Sequence, residues 1–110
     1  FLNNKSIRVS KKNNVSDCLY GVNFRKNLPE NLIIRNTGSA ALDLAYVSCG
    51  RFDVCLEKNV NLWDIAAGTV LIKEAGGVVD NFEFKEFNKI SIKASNERIS
   101  DDLNKKINIF

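Results

Sequence analysis

Histidine and methionine are both absent from the 110 residues, and proline occurs once, at Pro29. Without an imidazole, the histidine-based nucleophile triads are excluded and a common zinc ligand is missing. Cysteine is scarce: Cys18, Cys49 and Cys55 are an odd number with no CxxC spacing. That argues against a disulfide framework and a zinc site, and the three are expected to pack as small apolar side chains. Charge of one sign is lacking too, since 16 Lys and Arg stand against 13 Asp and Glu, a net +3 with the signs interspersed. A nucleic-acid-binding face is therefore not expected. No apolar run approaches the roughly 18 residues needed to cross a bilayer, and no signal-peptide pattern opens the chain, so a cytoplasmic protein is expected. With no Met anywhere and Phe1 at the start, the chain reads as a piece of a longer protein.

What is present is an ordinary globular composition, 45% hydrophobic and 26% charged, enough for one domain with a modest core. The chain is organised around residues 62–77. Apolar or small side chains at 62, 65, 66, 69, 72 and 75 recur at steps of three and four, the spacing that holds one helix face against a core. Asn61 is expected to cap this helix and Gly76 and Gly77 to end it, which puts Asp64 in the first turn. A carboxylate there is explained blandly by the positive end of the helix dipole, worth about 0.3 to 1 kcal/mol. Trp63 before it, and Ala66, Ala67 and Gly68 after it, leave room for something bulky. Gly68 also costs the helix about 1 kcal/mol relative to Ala, a loss that close approach to another group would offset.

Before this helix, residues 6–10 alternate apolar and polar as a half-buried strand does, residues 11–14 read as a turn, and residues 18–24 as a more deeply buried strand. Residues 25–31, with Pro29, are loop-like. Residues 32–35 read as a strand and 36–39 as a turn, followed by a helix over 40–49 with Ser39 as its cap and Gly50 at its end. A strand, a Gly-containing turn and a helix form an arrangement in which backbone N–H groups can converge on an oxygen-rich ligand, although every α/β domain has such turns. Residues 52–57 read as a strand with Phe52, Val54 and Leu56 on one face and Asp53, Cys55 and Glu57 on the other. Glu57 then closes that strand ahead of a loop over 58–61, where a solvated carboxylate beside Lys58 is the plain expectation. Residues 78–80 read as a strand. Residues 81–87 alternate aromatic and charged side chains as a hairpin edge does, and two of the three charges are acidic, which disfavours RNA stacking. A strand over 90–95 and a closing helix capped by Asn96, with Ile99, Leu103 and Ile107 at four-residue steps, complete the chain. Alternating strands and helices give an α/β class, a mixed sheet flanked by helices.

The WDIAAG run at 63–68 followed by EAGGVV at 74–79, and RNTGSAALDLAYVSCGRFD at 35–53, resemble the C-terminal signature of the inositol monophosphatase family, whose bacterial branch includes the SuhB-type proteins. The resemblance implies the C-terminal part of a layered α/β/α/β/α fold, with the N-terminal half absent. It further implies that Asp64 is a Mg²⁺ ligand, that Gly38, Ser39 and Ala40 contact substrate, and that Glu57, seven residues before Asp64, accepts hydrogen bonds from substrate hydroxyls. The implied activity is Mg²⁺-dependent hydrolysis of an inositol or related sugar phosphate monoester. The family's other metal ligands lie in an Asp-Pro-x-Asp-Gly-Thr motif that these residues do not contain, so the chain alone is expected to turn over little. The long helix that joins two strands in such relatives has no counterpart in residues 25–31, which leaves a homodimer open. Two further readings remain: a SuhB-like module contacting the transcription machinery or RNA, and a bare structural fragment.

Overall fold

β-Branched and aromatic side chains suit a pleated surface, and five runs containing them pair as one sheet in a computed structural model that describes residues 8–12, 14, 17–24, 32–84 and 90–100. The strands are β1 (Leu19–Val22), β2 (Ile33–Arg35), β3 (Val54–Val60), β4 (Gly77–Phe84) and β5 (Ile90–Asn96), and the helices are α1 (Ala40–Ser48) and α2 (Leu62–Glu74). Their order across the sheet is β2-β1-β3-β5-β4. β1 runs parallel to both β2 and β3, with Leu19 beside Ile33 and Tyr20 beside Val54. β5 runs antiparallel to β3 and to β4, with Ala94 between Cys55 and Val79. The class expected from the sequence, a mixed sheet flanked by helices, is the class observed, and β4 lies at a sheet edge as its alternating pattern suggests.

Both faces of the central strand are covered. On one face Cys55, Ile92 and Ala94 meet Leu44 and Val47 of α1 and Ile65 and Ile72 of α2. On the other, Val54 and Leu56 pack with Cys18, Tyr20, Val22 and Ile99. Ile99 belongs to the closing helix, helical over residues 97–100, and its N–H donates to Asn96 Oδ1 at 2.8 Å, the cap expected. Leu103 and Ile107 lie outside the described residues, as do residues 25–31 and the end of the hairpin at 85–87. Cys18 and Cys55 are buried free thiols, and Cys49 is only partly covered.

Three local expectations give way to tertiary demands. Residues 8–10 form no strand, because the Val9 N–H donates to the Ala75 carbonyl at the end of α2 (3.2 Å) instead of joining a ladder. Phe52 precedes β3 and falls on the helix-covered face with Tyr46, its ring edge-on at a centroid distance of 5.2 Å. β3 runs on to Val60, so the loop expected at 58–61 is strand through residue 60. The neighbouring Asp53 is tied down at the start of β3 by the Leu19 N–H (2.7 Å) and by Lys12 Nζ (2.9 Å).

Gly68 of α2 turns inward and is buried. A Cβ there would lie 2.7 Å from Leu44 Cβ and 2.8 Å from Leu44 Cδ1, so the residue's helix penalty is offset by close contact between the helices. Replacing Gly68 by Ala should therefore destabilise the fold by roughly 1–3 kcal/mol through overpacking, despite the roughly 1 kcal/mol gained in helix propensity. Urea unfolding measures this, and a raised midpoint would show that α1 and α2 can part freely.

Candidate active site

The turn between β2 and α1 is built by its own short side chains. Asn36 Oδ1 accepts from the Gly38 N–H at 2.8 Å, and Gly38 takes φ +83°, a left-handed conformation that costs a residue with a Cβ. Ser39 adopts extended dihedrals, and its Oγ accepts from the Leu42 N–H at 3.2 Å, the cap expected from the sequence. The N–H groups of Ala40 and Ala41, in the first turn, have no intrahelical acceptor. Thr37 Oγ1 accepts from the Ser39 N–H (3.2 Å) and lies 2.7 Å from Asp43 Oδ1 as its donor.

A β-bulge between Glu57 and Val60 interrupts the pairing of β3 with β5. Asn59 there has φ +55°, a region asparagine tolerates better than most residues. Asn23 clamps this bulge to the end of β1: its Nδ2 donates to the Lys58 carbonyl and its Oδ1 accepts from the Lys58 N–H, both at 2.9 Å. Asn61 stands at the N-cap of α2 but makes no side-chain cap bond. Its carbonyl accepts from the Asp64 N–H at 3.1 Å, while the side chain lines the cleft.

These pieces enclose a cleft of about 410 Å³ at one end of the sheet. All five residues singled out in the sequence, Gly38, Ser39, Ala40, Glu57 and Asp64, line it, joined by Asp43 and by asparagines 23, 36, 59 and 61. Asp64 is exposed, and no ion pair engages it among the described residues. Glu57 is neither solvated nor at a strand end: its residue is 0% exposed and sits in mid-strand. Lys58 instead holds its ammonium 4.6 Å from the centre of the Phe24 ring.

Asp43 was not among the residues the sequence marked, yet it is 0% exposed at the floor of the cleft. The available signal was its phase, for position 43 lies on the same helical stripe as Ala40, Leu44 and Val47, where a carboxylate is out of place. One oxygen each of Asp43 and Glu57 and the Cys55 sulfur lie within 4.8 Å of one another. Cys55 Sγ donates to Glu57 Oε1 at 3.5 Å, and Thr37 serves Asp43 Oδ1, so each carboxyl has one satisfied oxygen. Asp43 Oδ2 and Glu57 Oε2 are buried without a partner. Burial, with Asp43 hydrogen bonding and charge adding to it, pushes the Glu57 carboxyl up to about 9. Burial together with the two carboxyls also raises the Cys55 thiol well above its usual range.

The buried trio suits Mg²⁺ poorly. That ion demands oxygen ligands in an octahedron and keeps several waters, whereas the trio offers a protonated thiol in place of a third oxygen and little room for waters. Asp64, exposed at the cleft wall, is the carboxylate that fits a hydrated divalent cation. No Lys or Arg lines the cleft among the described residues, so its acidic groups require compensation from a cation or a proton.

A model of the inositol monophosphatase family matches residues 2–108. The chain is 40% identical over 119 residues to the fructose-1,6-bisphosphatase/inositol-1-monophosphatase of Thermotoga maritima, covering 98% of this chain and 46% of the relative. It is 39% identical over 98 residues to the Nus factor SuhB of Pseudomonas aeruginosa, covering 74% of this chain and 36% of that protein. The crystal structure of the extragenic suppressor protein SuhB from Bartonella henselae superposes with a TM-score of 0.84 at 36% identity, over 99% of this chain and 50% of that one. The chain thus spans about half the length, or less, of the relatives it matches.

The raised Glu57 carboxyl has a thermodynamic signature. Above its ordinary value of 4.5 the unfolded chain releases a proton that the folded chain keeps until about pH 9, so the stability this group contributes is full below pH 4.5 and is lost as pH rises through 9. The loss is at most about 1.4 kcal/mol per pH unit in that window. Urea unfolding between pH 5 and 9 should show a falling stability that Glu57→Gln flattens; equal slopes for the two proteins would contradict the burial of this carboxyl.

Proposed function

The chain belongs to the inositol monophosphatase family, and from that premise we propose that it is the C-terminal half of a Mg²⁺-dependent phosphatase acting on an inositol or related sugar phosphate monoester. The observation that carries this reading is the meeting of Asp64, Glu57 and the turn at Gly38, Ser39 and Ala40 in one cleft with no basic residue among the described lining. A cleft so charged repels a bare phosphate and accepts one escorted by a divalent cation.

In this reading Asp64 holds Mg²⁺ at the cleft wall, with further ligands supplied from outside these 110 residues. The chemistry that Mg²⁺ supplies at such a site is neutralisation of phosphoryl oxygens, acidification of water and stabilisation of the leaving alkoxide. The remaining work belongs to binding and orientation. The uncapped N–H groups at the start of α1 face oxygen atoms of the ligand, with the positive end of the helix dipole behind them. Glu57 holds ring hydroxyls from the cleft floor, fixing the ester against Asp64. Gly38 lets the turn come close, since nothing lies within 4 Å of where its Cβ would be.

A second reading, an interaction module, has support in the Nus factor name of SuhB relatives and in Trp63 and Val70 of α2, 82% and 56% exposed. Phosphate release from inositol monophosphate by the full-length protein separates the two. Activity that depends on Mg²⁺ and falls roughly 10²-fold or more in Asp64→Asn, a loss of the size seen when one stabilising group is removed, is the expected result, with little turnover by residues 1–110 alone. An Asp64→Asn protein as active as the wild type, or robust turnover by the isolated chain, would overturn the phosphatase assignment.

A further inference from the structure

The floor of the cleft contains a pair of acids whose arrangement the binding of a cation does not require. Asp43 comes from the first turn of α1 and Glu57 from the middle of β3, and both are wholly shielded from solvent. Each has one oxygen engaged, Asp43 Oδ1 by the Thr37 hydroxyl and Glu57 Oε1 by the Cys55 thiol. Each has its second oxygen buried without a donor. With an oxygen of each within 4.8 Å of the other, two ionised carboxylates in a buried site repel one another, and such pairs keep one proton.

We propose that Asp43 and Glu57 hold a single proton between them at neutral pH, and that Asp43 is thereby the positioning residue that makes Glu57 a match for an alcohol hydroxyl. A carboxylic acid beside a carboxylate offers one donor and one acceptor. A hydroxyl offers the same two in return, so it can accept from one partner and donate to the other. An ether oxygen only accepts, and a cation only takes lone pairs. The floor therefore selects a ligand that carries a free ring hydroxyl at this depth, which rests on the reading of Glu57 as a substrate-side residue and adds Asp43 to it.

The groups that face Glu57 are few. α1 contributes Asp43, and β3 contributes Cys55, whose thiol is protonated and donating. Asp64 of α2 lines the same cleft, the uncharged Asn23 follows the end of β1, and β5 sets Ile92 beside Glu57 in the ladder. Among the described residues no lysine or arginine lines the cleft to stand in for the proton.

The test is a ¹³C NMR titration of side-chain carboxyls in the full-length protein, without substrate, with the Glu57 signal assigned by its loss in Glu57→Gln. The expected result is a Glu57 carboxyl still protonated at pH 7, and a midpoint lowered by about one pH unit or more, a tenfold fall in proton affinity, in the isosteric Asp43→Asn protein. A Glu57 signal titrating in the ordinary carboxylate range in the wild type overturns the proposal, whatever the fate of the variant. So does an unchanged midpoint in a folded Asp43→Asn protein. So does a saturable, Asp43-dependent shift of the signal by MgCl₂ in an Asp64→Asn background, which would put a cation where the proton is placed. Because no turnover is measured, failure of the phosphatase reading leaves this outcome legible: a protonated pair without phosphatase activity retains the proton and dismisses only its substrate.

Discussion

The contact between Gly68 of α2 and Leu44 of α1 is the constraint on which the site depends. With no Cβ at position 68, the two helices lie closer than any larger residue allows, and both press on the same face of β3. Their N-termini then fall together at one end of the sheet, with Ser39 and Ala40 from one and Asp64 from the other lining one cleft. A wider spacing of the helices would leave the same residues in the same elements but no longer facing a shared volume.

Within that cleft the distribution of charge follows depth. Asp64 at the wall is exposed, whereas Asp43 and Glu57 at the floor are buried. Ionised carboxylates are tolerated at the first place and penalised at the second. The same side-chain chemistry is thus open to solvent at one level and desolvated at the other. The asparagines divide the structural tasks between them: Asn23 fastens the bulge of β3, and Asn36 shapes the turn that Gly38 completes.

Much of this was legible from residue order, because it depends on local spacing. Apolar steps of three and four marked both helices, Ser39 marked the start of α1, a dense apolar run marked β1, and alternation marked β3. The run from Trp63 to Gly68 and the turn at Gly38 carried the family resemblance, and the family model and the fold agree with it. Less legible were features that depend on what lies across a gap in sequence. Residues 8–10 look like a strand but bond to the end of α2. Asn61 looks like a cap but leaves its side chain to the cleft. Glu57 beside Lys58 looks like a surface pair, yet β3 runs on past it to Val60 and the acid is buried in mid-strand.

By itself the sequence determined the class of fold, the order of elements, and the placing of Asp64 and Ser39 at helix starts, since helix and strand periodicity and capping act within a few residues. Only the tertiary structure decided that Asp43 belongs to the site and that Glu57 is buried beside it. Desolvation and the approach of two like charges are set by residues distant in the chain, Leu44 against Gly68 and β3 beneath α1, and no local pattern encodes the water that such packing removes.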